Sequence, residues 1–164
     1  MSRTYYDYKR VEAILDSWLR DALRREIYNN RSLFHAGKQH FGMPKGKLKD
    51  RLLFEKTKTV TSFAGRYEEV RDTISSIVED FELEIGVYAA YGNPGETFHI
   101  ACENPLPAYG YRKDESGRIH EIPGTDLEYI VIALRKTAEQ NMPVFVTVYP
   151  CTWDVAREKD PAAF

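Results

Sequence analysis

Near residue 82 the spacing of apolar side chains changes, and this constrains the fold more than any other feature of the 164-residue chain. Ahead of that point apolar residues recur every three or four positions; behind it, most recur every second position. The first spacing gathers side chains on one face of a helix, the second on one face of a strand. A helical front and a strand-rich back predict an α+β fold: N-terminal amphipathic helices packed on a mixed, mainly antiparallel sheet of about five strands, with one C-terminal crossover helix. One domain over residues 1–164 is the expectation at this length.

In the front half, Val11, Ile14, Leu15, Trp18, Leu19 and Ile27 share a stripe that predicts a helix over residues 7–28, stopped by Asn29 and Asn30. Gly37, Gly42, Pro44 and Gly46 interrupt any regular element, so residues 37–61 are expected to be irregular. A second helix is predicted over 62–81 from Phe63, Tyr67, Val70, Ile74 and Ile77, with Thr61 or Ser62 as its cap.

In the back half, alternation over 82–91 and 97–103 around Gly92-Asn93-Pro94-Gly95 predicts an antiparallel hairpin. A second hairpin is expected from 109–113 and 118–122 around Asp114-Glu115-Ser116-Gly117. Thr125 and Glu128 have capping-box spacing and predict a helix over 126–141. The nearly all-apolar run 144–149 then predicts a central strand, reached by a right-handed crossover and parallel to an earlier strand. Residues 150–164 show no strong period, and Trp153 is expected to dock on the core.

Charge is distributed unevenly. Residues 37–66 hold eight basic and two acidic side chains, a net of +6, in a chain whose formal charge is −2. From Arg71 onward there are eight basic and sixteen acidic residues, a net of −8. Clustered cations take up phosphates because they release condensed counterions. The leading expectation is therefore a small binding protein that occupies a phosphate-rich ligand, nucleic acid or nucleotide, through Lys45, Lys47, Lys49, Arg51, Lys56, Lys58 and Arg66. Tyr88, Tyr109 and Tyr111 are stacking candidates if they share an exposed sheet face. The alternative is a protein–protein interaction module, an inhibitor, accessory subunit or homo-oligomer, whose segregated charge steers docking. A third reading is a small hydrolase or nuclease using His99 and His120 as an acid–base pair.

Other classes are disfavoured. GMPKGKLKDR is not a phosphate-cradling P-loop, since Leu48 stands where Ser or Thr would follow Gly-Lys. No dinucleotide fingerprint or metal-ligand spacing occurs, so neither cofactor nor metal is expected. No apolar run approaches the roughly 18–20 residues of a membrane-spanning helix, and no secretory leader opens the chain. With Cys102 and Cys151 as its only cysteines, a reducing cytoplasm is the expected compartment.

Overall fold

The computed structural model describes residues 7–16, 27–28, 40–136 and 143–164. Its architecture is α+β, with two three-stranded antiparallel sheets in place of the one sheet expected. The elements are α1 (Tyr8–Ile14), α2 (Lys45–Phe54), β1 (Thr59–Phe63), α3 (Tyr67–Asp80), α4 (Glu82–Tyr91), β2 (Thr97–Glu103), β3 (Ala108–Lys113), β4 (Ile119–Ile122), β5 (Tyr129–Lys136), β6 (Pro143–Cys151) and α5 (Trp153–Lys159). The first sheet has the order β1-β3-β4 and the second β2-β5-β6.

Asp7 caps α1, its carboxylate accepting from the Lys9 and Arg10 amides. Residues 17–26, the middle of the helix expected over 7–28, lie outside the described residues, as do Asn29 and Asn30.

From residue 40 the basic segment holds regular elements rather than being irregular, and residues 37–39 lie outside the described residues. Pro44 stands just ahead of α2, where its missing amide costs no helical hydrogen bond. Leu48 and Leu52, one turn apart, are fully buried and pack with Val60 and Tyr111. Strand β1 then takes Thr61, Ser62 and Phe63, so the next helix starts at Tyr67, preceded by Arg66 instead of Thr61 or Ser62. Within α3, Val70, Ile74, Ile77 and Val78 form the expected buried stripe.

Two apolar segments exchange types. Residues 82–91, expected as a strand, form α4, and within the helix predicted over 126–141 residues 129–136 form strand β5, while 137–141 lie outside the described residues. Glu82 and Glu84 stand in the first turn of α4, where carboxylates favour the positive end of the helix dipole. A Cβ on Gly86 would lie 3.0 Å from Val11 Cγ1, so the bare backbone lets α1 approach α4 closely. That helix–helix contact outweighs the local alternation. In β5, Ile130, Val131 and Ile132 favour an extended chain, and all three are fully buried. The capping-box spacing opens no α-helix: Thr125 lies inside a short 3₁₀ turn, Gly124–Asp126, which has no side-chain cap.

β5 is the central strand of the second sheet, antiparallel to β2 (Ile100 opposite Ile132) and to β6 (Ile132 opposite Val148). β2 therefore pairs with β5 and not with residues 82–91, and β6 is an antiparallel neighbour instead of a parallel central strand. A register shift between Ala133 and Leu134 marks an irregularity in the β5–β6 pairing. The β3–β4 hairpin forms as expected, with Arg112 opposite His120. The tail carries α5, and Trp153, 43 % exposed, packs edge-on against Phe164. The main core joins α1, α3 and α4 to the second sheet through residues such as Ile74, Ile85, Ile130 and Val148.

Candidate functional site

β1 of the first sheet and β6 of the second are tied together: the Thr61 hydroxyl donates to Pro150 O at 2.6 Å. Beside this junction opens a cleft of about 480 Å³, lined among others by His40, Arg51, Thr59, Thr61, Thr147 and Tyr149. Its volume lies in the range of small-ligand sites. Thr59 and Thr61 share one face of β1 by alternation, as do Thr147 and Tyr149 on β6, where the neighbouring Val146, Pro150 and Cys151 also line the cleft.

His40 is placed by the segment running beside the end of β1. Phe41 bridges to Phe63, Gly42 N–H donates to Phe63 O at 2.8 Å, and Met43 N–H donates to the Ser62 hydroxyl at 3.0 Å. Gly42 has φ +61°, the left-handed conformation that turns the chain from this contact into α2. His40 Nδ1 lies 2.9 Å from Thr61 O. A carbonyl only accepts, so Nδ1 carries the proton and the neutral ring has its lone pair on Nε2. The imidazole packs at 5.5 Å from the Tyr149 ring. Burial pushes the Tyr149 hydroxyl up to about 12, with Cys151 and Glu158 adding to the shift. Tyr149 therefore stays a proton donor at neutral pH. Arg51 enters from α2, its Nε 3.3 Å from the Glu55 carboxylate one turn later. A base with a fixed tautomer, a protonated tyrosine and an arginine thus line one concave surface.

The other basic residues expected as ligands do not line the cleft. Lys45 and Lys49 lie over the rings of Tyr109 and Tyr111, at 5.8 and 5.0 Å, on a different flank of α2 from Arg51. Lys47, Lys56, Lys58 and Arg66 are exposed along the chain on either side of β1. The three tyrosines share no open face. Tyr88 belongs to α4, is 7 % exposed, stacks on Phe98 and bonds Glu96 O. Tyr111 is buried, and the Tyr109 hydroxyl donates to Met43 O.

His99 and His120 stand on different sheets, in β2 and β4. Burial, then the nearby Lys159, lowers the His99 pKa. His120 Nε2 sits 2.6 Å from Asp114 Oδ2 at the β3–β4 turn. Asp114 Oδ1 accepts from the Ser116 hydroxyl and from the Ser116 and Arg118 amides. The Ser116 hydroxyl, then His120 and the Arg118 amide, hold this carboxyl well below the usual range. A depressed carboxylate stabilises the turn fully above the ordinary aspartate value of 3.8 and loses that contribution only as pH falls through the lower folded value. The Ser116 and Arg118 amide resonances should hence stay at their neutral-pH positions down through pH 3.8; a midpoint at or above 3.8 would refute the network.

His40, Thr147 and Tyr149 were absent from the residues singled out by sequence. The signal that could have found Thr147 and Tyr149 is a pair of hydroxyl stripes, Thr59-Thr61 on β1 and Thr147-Tyr149 on β6; nothing local marks His40. Among the described residues no three His, Cys, Asp or Glu side chains are grouped to hold a metal ion. No described helix is long and apolar enough to cross a membrane.

No family model matches the chain, and no curated protein does. A chain of the solved CdiA-CT/CdiI complex from Y. kristensenii 33638 superposes with a TM-score of 0.52 at 17 % identity, covering 68 % of this chain and 93 % of that one. At that identity the likeness concerns the fold.

Proposed function

We propose that this chain is an acid–base phosphodiesterase that cleaves RNA by internal transesterification in the cleft between β1 and β6. The observation that carries this reading is the convergence of His40, Arg51 and Tyr149 there. His40 Nε2 takes the proton of a ribose 2′-hydroxyl as O2′ attacks phosphorus. The P–O5′ bond breaks, and the Tyr149 hydroxyl protonates the departing oxygen. Arg51 neutralises charge on the phosphoryl oxygens, which is greatest in the transition state. The products are a 2′,3′-cyclic phosphate and a 5′-hydroxyl; exchange with water restores both side chains. This retains the phosphate-rich ligand expected from the sequence and moves the acid–base work from His99 and His120 to His40.

Incubation with an RNA oligomer and its 2′-deoxy counterpart tests the proposal. Cleavage of the first alone, with cyclic-phosphate ends, is the expected outcome; equal cleavage of both, or of neither, overturns it.

A second reading, a module that acts by occupying a partner protein as inhibitor or accessory subunit, is supported by the neighbour's coming from a two-protein complex. Segregated charge suits it as well. Of the binding readings made from sequence it has the better support from comparison, because simple occupancy of nucleic acid through the lysines of α2 gains none. Stable association with a protein partner, without RNA cleavage, would favour it.

A further inference from the structure

We infer that one flank of α2, formed by Lys47, Arg51 and Phe54, is a track for the single strand as it leaves the cleft, with Lys47 on a neighbouring phosphate and Phe54 beneath a base. The inference rests on the phosphate site proposed at Arg51.

Helical spacing sorts the side chains of α2. Leu48 and Leu52 face the core, and Lys45 and Lys49 lie over the tyrosines of β3. Lys47 precedes Arg51 by four residues and Phe54 follows it by three, so the three share a flank. Arg51 alone of them lines the cleft; Lys47 is exposed. Four residues of helix span about 6 Å, close to the step between successive phosphates of an extended strand. Phe54 is 85 % exposed, the most open of the large apolar side chains described. An aromatic side chain so uncovered, beside a guanidinium and an ammonium, is what single-strand binding surfaces use: cations follow the backbone and rings stack bases without regard to sequence. Among the described residues, two carboxylates neighbour the flank. Glu55 is engaged by Arg51, which fixes the guanidinium, and Asp50 lies on the solvent side. The consequence is selectivity for a chain of nucleotides over a single one.

Binding to two uncleavable probes separates this inference from the catalytic one: a 2′-O-methylated uridine decamer and uridine 3′-monophosphate, each followed at two salt concentrations. Lys47→Ala should weaken decamer binding and lower its salt slope by about one. Phe54→Ala should weaken it about five-fold or more with the slope unchanged. Neither substitution should alter monophosphate binding, and Lys45→Ala should match the wild type on both probes. All three positions are exposed, and thermal melts confirm folding of each variant. Equal losses for Lys45→Ala and Lys47→Ala would mean diffuse charge and overturn the track. So would Phe54→Ala with wild-type affinity, or a wild type that binds neither probe. If the wild type cleaves no RNA yet the two substitutions act as stated, the track stands and the catalytic reading falls.

Discussion

His40→Ala is expected to lower RNA cleavage by about 10²–10⁴-fold, the usual contribution of a positioned acid or base. The imidazole is held on both sides, by Thr61 O at Nδ1 and by the Tyr149 ring. Removing it therefore deletes the base and part of the cleft wall together. Tyr149→Phe separates these effects, since it keeps the ring and removes only the proton donor. With an ordinary ribose leaving group, Tyr149→Phe should be severely slowed. With uridine 3′-(4-nitrophenyl phosphate), whose leaving group departs without protonation, it should approach the wild-type rate, while His40→Ala stays slow on both substrates. Because burial pushes the Tyr149 hydroxyl up to about 12, its protonated form persists through neutral and mildly alkaline pH. No alkaline limb from Tyr149 should then appear below about pH 10. Single-turnover rates on the two substrates, with thermal melts of each variant, decide the matter. A His40→Ala protein that folds and cleaves at the wild-type rate ends the proposal.

The largest stability effect is expected at Lys136, far from this chemistry. Its side chain is 3 % exposed, and its Nζ donates to Ala89 O at 2.8 Å and Gly92 O at 2.9 Å, at the C-terminal end of α4. Its amide donates to the Tyr88 hydroxyl, which in turn donates to Glu96 O. One lysine thus satisfies the last carbonyls of a helix and fastens them to the central strand. Lys136→Met preserves much of the volume but leaves the two carbonyls without that donor, at about 1–3 kcal/mol for each one left buried and unsatisfied. Lys136→Ala adds a cavity and should cost more. Chemical denaturation at pH 7 checks both; a change within about 0.5 kcal/mol, the range of ordinary surface substitutions, would refute the role. Burial, with Arg10 as the second cause, lowers the Lys136 pKa from 10.5. Between the lowered value and 10.5 the unfolded chain binds the proton more tightly than the folded one, so stability rises with pH across that window. Lys136→Met should remove that rise.

The stripe of α3, the strands β2 and β6 and the β3–β4 hairpin were legible because their side-chain pattern agrees with their tertiary setting. The two exchanged segments, α4 and β5, were not. Each is a short, mostly apolar run whose spacing fits either structure. In α4 the decision falls to the close contact at Gly86, and in β5 to burial between two neighbouring strands. The site was legible only in part. Arg51 stood out through its charge, but the lysines around it drew attention to a whole window that α2 splits into separate flanks. Thr147 and Tyr149 looked like ordinary strand residues, since what brings them to His40 is the pairing of β6 with β5 and the Thr61–Pro150 hydrogen bond. Such distant pairings leave no local trace.

The Thr61–Pro150 junction also governs when, during synthesis, the cleft can exist. His40, Arg51 and Thr61 precede Thr147, Tyr149 and Pro150 by more than eighty residues, so they are made first. A nascent chain still missing β6 has half of the cleft wall and no proton donor, although the first sheet can already pair. Because protein chains emerge from the N-terminus, the ribosome finishes β6 before the three groups can meet. The topology thereby delays the chemistry proposed here until translation of this segment is complete, and any chain truncated before residue 147 should be inert toward RNA.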